Sequence, residues 1–170
     1  MYIATSGVQV TVEGFDIRNG NAPDGVFNGG GIFVTSNSIA AIRNNRIYDN
    51  SAFKNDGGIF IDGYTDITVE DNQIYDNQAA VSYGRGIHLD GGSDMPVVFH
   101  SNIISNNDGC GIYSYSSITV THSDLWQNTP DHLGDNATCD STCIFADPPV
   151  CRCWLGGFPP PIGFVLHRLS

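Results

Sequence analysis

The chain has 170 residues, 41% of them hydrophobic and 15% charged, which suits a single domain with a buried core and excludes a disordered chain. Seven Lys and Arg against 18 Asp and Glu leave a net charge of −11, which excludes a phosphate-tracking nucleic-acid groove and favours cations as partners. No stretch reaches the ~20 apolar residues of a membrane span, and no basic-then-apolar export signal follows Met1.

Twenty glycines and the abundance of Asn and Asp favour short strands and turns, so the expected class is all-β. In chain order, a first strand at Tyr2-Ile3 is followed by Gly31-Ile32-Phe33-Val34, Gly58-Ile59-Phe60-Ile61, Gly86-Ile87-His88-Leu89 and Gly111-Ile112-Tyr113-Ser114. The isoleucines of these four segments lie 27, 28 and 25 residues apart, which is solenoid spacing. A second strand follows each: Val10-Thr11-Val12, Ala40-Ala41-Ile42, Ile67-Thr68-Val69, Val97-Val98-Phe99 and Ile118-Thr119-Val120, whose outer members face inward by the period of two. A third short strand carries Ile17, Ile47, Ile74, Ile104 and Leu125 in register. Together these predict a right-handed parallel β-helix of about five coils over residues 1–134, with a non-repeat tail over 135–170. Propeller blades need about 40 residues each, and no apolar stripe has helical spacing.

Asn45, Asn72 and Asn102 recur two before the third-strand residue, and Asn50, Asn77, Asn107 and Asn128 three after it. Asn tolerates left-handed turns, and its amide can bond the equivalent amide one coil on, so these read as ladders and not as catalytic groups. Five cysteines are an odd number without zinc spacing; Cys139 and Cys143 stand where a disulfide is open to them.

Gly-Gly-Ile-Phe-Ile-Asp, Asp-Asn-Gln-Ile-Tyr-Asp-Asn and Ser-Asn-Ile-Ile-Ser-Asn-Asn resemble the repeats of the pectate-lyase-like superfamily of parallel β-helix proteins, with its carbohydrate-binding and sugar-hydrolase domains. The resemblance implies a β-helix and a lean toward carbohydrate chemistry. It lacks the paired-Asp and Gly-His-Gly elements of polygalacturonases, the Arg-x-Pro-x-x-Arg of pectate lyases and the Asp-Pro-His of alginate epimerases. In large bacterial secreted β-helix proteins a segment similar to Asp-Pro-x-Phe-Val-Asp, followed by Asp-Phe-His-Leu, closes the repeats. Codons can be chosen for residues 150–170 that give such a peptide one base later, so the expectation is a tail out of its natural frame after Pro149 and a fragment of a larger secreted or cell-surface protein. Cys151, Cys153, Trp154 and His167 then carry no mechanism.

Chemistry is expected on the outer face of the first strands, where His88 and Asp90 stack beside Phe60 and Asp62. Asp62, Asp66, Asp90 and Asp94 lie in Gly-rich turns and either hold Ca²⁺ or cap free backbone N–H groups. With Ca²⁺ polarising a substrate carboxylate, lactone or ester, His88 would move the proton, aided by Asp90 and Asp62, in a hydrolase or lyase of low specificity. Tyr48, Tyr75 and Trp126 form an outward row suited to sugar rings. Arg85, with Tyr83 in the loop over His88, would take a carboxylated substrate. The outward row Arg43, Glu70, His100 and Thr121 reads as charge pairing. The rival reading is a non-catalytic glycan-binding or spacer module, and open solenoid ends predict self-association.

Overall fold

The computed structural model describes residues 1–5, 7–22, 29–35, 37–53, 57–62, 66–80, 84–90, 97–129 and 131–146. These residues form strands, turns and bends, with no helix among them. The first coil runs through β1 (Tyr2–Ile3), β2 (Gln9–Glu13), β3 (Asp16–Arg18) and β4 (Asn21–Ala22). The second repeats the order with β5 (Ile32–Val34), β6 (Ile39–Arg43), β7 (Arg46–Tyr48) and β8 (Ser51–Ala52), and the third with β9 (Ile59–Asp62), β10 (Asp66–Glu70), β11 (Gln73–Tyr75) and β12 (Gln78–Ala79). The fourth contributes β13 (Gly84–Asp90), β14 (Val97–His100) and β15 (Ile103–Ser105); the fifth, β16 (Cys110–Thr121) and β17 (Asp124–Trp126). A sixth begins with β18 (Leu133–Cys139). Equivalent strands of successive coils pair in parallel, so the molecule is a parallel β-solenoid.

The expected inward rows are the core. Ile32, Ile59, Ile87 and Ile112 stack in register at the first-strand position, and Ile47, Ile74, Ile104 and Leu125 at the third; all eight are fully buried. β-branched side chains suit this pleated stack, and each buried isoleucine contributes about 2–3 kcal/mol. The glycine before each first strand is fixed by the same stacking. A Cβ on Gly58 would lie 2.2 Å from the carbonyl oxygen of Gly86, and one on Gly86 2.3 Å from that of Gly111.

Three features of the coils depart from the sequence reading. A fourth short strand, β4, β8 and β12, forms its own three-stranded sheet and turns Ala22, Ala52 and Ala79 inward. In the fifth coil the turn between first and second strands is short enough for β16 to run through both, which joins their two stacks into one sheet. The solenoid also continues past the expected limit at Gly134. Both halves of β18 pair with β16, through Leu133 on Ile112 and Cys139 on Val120, and Ile144 bridges Asp124. The number of coils therefore differs slightly from five. The expected frame change after Pro149, and the residues named beyond it, lie outside the described residues.

The ladders are as expected. Asn72 Oδ1 accepts from both the backbone N–H and the Nδ2 of Asn45, at 3.0 and 3.1 Å, while Asn72 Nδ2 donates to Ile42 O at 2.8 Å and Asn102 Oδ1 at 3.1 Å. Asn50, Asn77, Asn107 and Asn128 repeat the pattern at the next corner. The left-handed backbone, however, belongs to the residue before each ladder position: Asn44, Asp71, Ser101 and His122 at one corner, and Asn19, Asp49, Asp76, Asn106 and Gln127 at the other, all with φ between 49° and 57°. Gln127 is a poor occupant of that region, where a short Asx side chain is favoured. Gln127→Asn is therefore expected to raise the urea midpoint, by about 0.5–1 kcal/mol of stability.

Candidate functional site

Two outer faces gather the residues singled out from sequence. On the first-strand face, register places Tyr2, Phe33, Phe60, His88 and Tyr113 side by side. Their rings meet edge to face in an unbroken run, with centroids 5.4, 5.3, 5.3 and 5.2 Å apart, and Tyr115 adds a second ring 5.7 Å from His88. Phe60 is 1% exposed and His88 3%. The expectation of a solvent-facing His88 is thus corrected: alternation put it on the outer face, but an aromatic ladder closes that face over it. The imidazole is instead packed on the rings of Phe60, Tyr113 and Tyr115.

Asp62 and Asp90 end their strands as register partners on neighbouring coils. Burial, and then the adjacent Asp62 charge, hold the Asp90 carboxyl above the usual carboxylate range. Asp66 opens the following strand, paired with Ile39, and Asp94 and Tyr83 lie outside the described residues. Among the described residues no three His, Cys, Asp or Glu side chains converge as a metal cage. Because the folded chain binds the Asp90 proton more tightly than the unfolded chain does, this group adds stability as the pH falls toward the unfolded carboxylate value and withdraws it above the folded one. Asp90→Asn is accordingly expected to raise the melting midpoint at neutral pH, with the gain vanishing toward pH ~3.

Arg85 does not reach over His88 as expected. It pairs with Asp108, Nη1 to Oδ1 at 2.8 Å, and its stem lies against Gly109, where a Cβ would meet Arg85 Cγ at 2.3 Å. The pair edges an open groove of about 350 Å³ beside Gln78 and Ala79 of β12. In the row expected to pair charges, Arg43 Nε instead meets Glu13 Oε2 of the preceding coil at 3.1 Å, and His100 bonds Ser101 and stacks on His122 at 4.8 Å.

The third-sheet face is different in kind. Register there aligns Arg18, Tyr48, Tyr75, Ser105 and Trp126. The rings of Tyr48 and Tyr75 stack with centroids 4.9 Å apart and planes within 3° of parallel, and the Arg18 guanidinium lies 5.9 Å from the Tyr48 centroid. Ser105 interrupts the row, so Trp126 stands two coil rises, ~9.6 Å, from Tyr75 and does not extend a continuous stack. Beside the tyrosines, Arg46 is clamped by Asp16 through two bonds of 2.6 and 2.5 Å, which holds its guanidinium charged. Burial, and then Tyr48, push the Tyr75 hydroxyl up to about 12, so it stays a neutral hydrogen-bonding group at neutral pH. Tyr48, Tyr75 and Trp126 are all half-buried.

Stacked parallel coils, inward aliphatic rows and buried amide ladders define the class of protein as a β-solenoid. Within that class, residues 1–128 match the right-handed β-helix region family, and the chain belongs to it. The fold is therefore the general pectate-lyase-like one. No match was found among curated proteins or among solved structures.

Proposed function

We propose that the chain is a glycan-binding solenoid whose binding face is the outer side of the third sheet, at Tyr48, Tyr75 and Trp126. The observation that carries this reading is the Tyr48–Tyr75 stack, two parallel aromatic rings of half-buried residues at one coil spacing. Sugar rings present flat C–H faces that pack on an aromatic face such as that of Tyr75 turned toward Ser105, and the fixed ion pair of Arg46 and Asp16 offers both donors and acceptors to their hydroxyls. The repeat of the coil gives the face a direction along the solenoid axis, which suits a polymer. Retardation of the protein in gels containing different polysaccharides tests this. At least one neutral or anionic glycan is expected to slow the parent chain, and Tyr75→Ala is expected to weaken that binding about tenfold, ~1.4 kcal/mol. Equal retardation of parent and variant would remove the reading.

A second reading rests on Asp62 and Asp90. Two carboxylates in register on adjacent strands repel, which a divalent cation relieves. Asp62 and Asp90 would hold Ca²⁺, and the ion would supply Lewis-acid polarisation of a substrate carboxylate or ester in a hydrolase or lyase. A melting midpoint that rises with Ca²⁺ in the parent and not in Asp90→Asn supports this reading; an unchanged midpoint in both removes it.

A further inference from the structure

The sixth coil puts two cysteines where other coils have quite different residues. Cys139 is the register partner of Val120, so it stands in the inward row of Val12, Ile42, Val69, Phe99 and Val120. Cys143 precedes Ile144, the bridge partner of Asp124, which places it over Ser123 in the column of Asn45, Asn72 and Asn102. Its thiol does what those amides do. Cys143 Sγ donates to Val120 O at 3.3 Å, as Asn102 Nδ2 donates to Val69 O at 2.8 Å, in both cases to the inward residue one coil back.

Elsewhere the inward residue and the ladder residue are three apart, as in Phe99 and Asn102; here they are four apart. The extra residue is absorbed by a turn in which Thr142 N donates to Asp140 Oδ1 at 2.9 Å and Cys143 N to Asp140 O at 3.3 Å. The turn folds the chain back so that the thiols of Cys139 and Cys143 are neighbours, both packed against the core and both free.

We propose that Cys139 and Cys143 form a redox-modifiable dithiol whose disulfide fastens the corner of the sixth coil. The position explains the need for a fastening. The amide ladder at this corner ends at Ser123, whose hydroxyl accepts from Asn102 N but turns back to its own coil, donating to Thr121 O. A covalent link replaces the amide bonds that the next coil lacks. In the reaction two thiols give up two protons and two electrons to a disulfide oxidant such as oxidised glutathione, one S–S bond forming in the chain as the oxidant's bond breaks into two glutathione thiols. Burial, and then the neighbouring Cys143 thiol, keep the Cys139 thiol protonated at neutral pH, so the exchange accelerates as the pH is raised.

The test is oxidation of the full chain with oxidised glutathione, then alkylation, digestion and peptide mass analysis. A peptide holding both residues, two hydrogens lighter and unalkylated, is expected to dominate, with a melting midpoint that rises in the parent and not in Cys143→Ser. That variant keeps a hydroxyl donor for Val120 O, so it retains the corner. Cys139 and Cys143 each alkylated, each bound to glutathione, or joined to another cysteine instead, would overturn the proposal.

Discussion

Asn72→Ala is expected to lower stability by about 4 kcal/mol, seen as a shifted urea midpoint with an unchanged slope. Asn72 is 1% exposed, and its amide makes four bonds to three residues on the coils before and after it. Truncation leaves the Asn45 N–H and the Ile42 carbonyl buried without their partner, at about 1–3 kcal/mol each, and opens a void among close-packed side chains. Asn136 is the control. Its amide also bonds backbone, Tyr115 O at 2.9 Å, but in solvent, so Asn136→Ala should cost less than about 1 kcal/mol. Similar losses at the two sites would show that the ladder is ordinary hydrogen bonding and not the axial fastening of the solenoid.

Gly58→Ala should cost about 3 kcal/mol, against the usual rule that replacing glycine with alanine stabilises where the backbone angles suit alanine. The added methyl would stand 2.2 Å from the Gly86 carbonyl oxygen, which is backbone and cannot rotate away. Relief requires two coils to separate, and that separation stretches the pairing of Ile59 with Ile87 on one side and the Asn77 to Asn107 bond on the other. Calorimetric melting of the variant measures this directly. A midpoint equal to the parent's would mean that the coils are looser at this edge than their register implies.

The legible part of this fold was what repeats. Ile32, Ile59, Ile87 and Ile112 fall at one spacing because every coil must bury the same position, and Asn45, Asn72 and Asn102 recur because each amide needs its neighbour. What broke the repeat escaped notice for physical reasons. Cys139 and Cys143 hid the sixth coil by standing in for a valine and an asparagine, and Ala22, Ala52 and Ala79 are too small to announce a strand. Period-two alternation reports which face a side chain leaves by, not whether that face is covered. His88 lies on the face that alternation predicts, yet it packs against Phe60, Tyr113 and Tyr115 and is buried there. Ser105 had a visible consequence, since it divides Trp126 from the tyrosine pair in any alignment of the third strands.

Two outer faces thus divide the functional claim. Calorimetric titration of a retarding glycan into the parent, Tyr75→Ala and Asp90→Asn is the most direct measurement, because the two substitutions lie on different sheets of the same solenoid. The account predicts that binding weakens about tenfold in Tyr75→Ala and is unchanged in Asp90→Asn. Binding that survives Tyr75→Ala and is lost in Asp90→Asn would contradict it and move the site to the first-strand face.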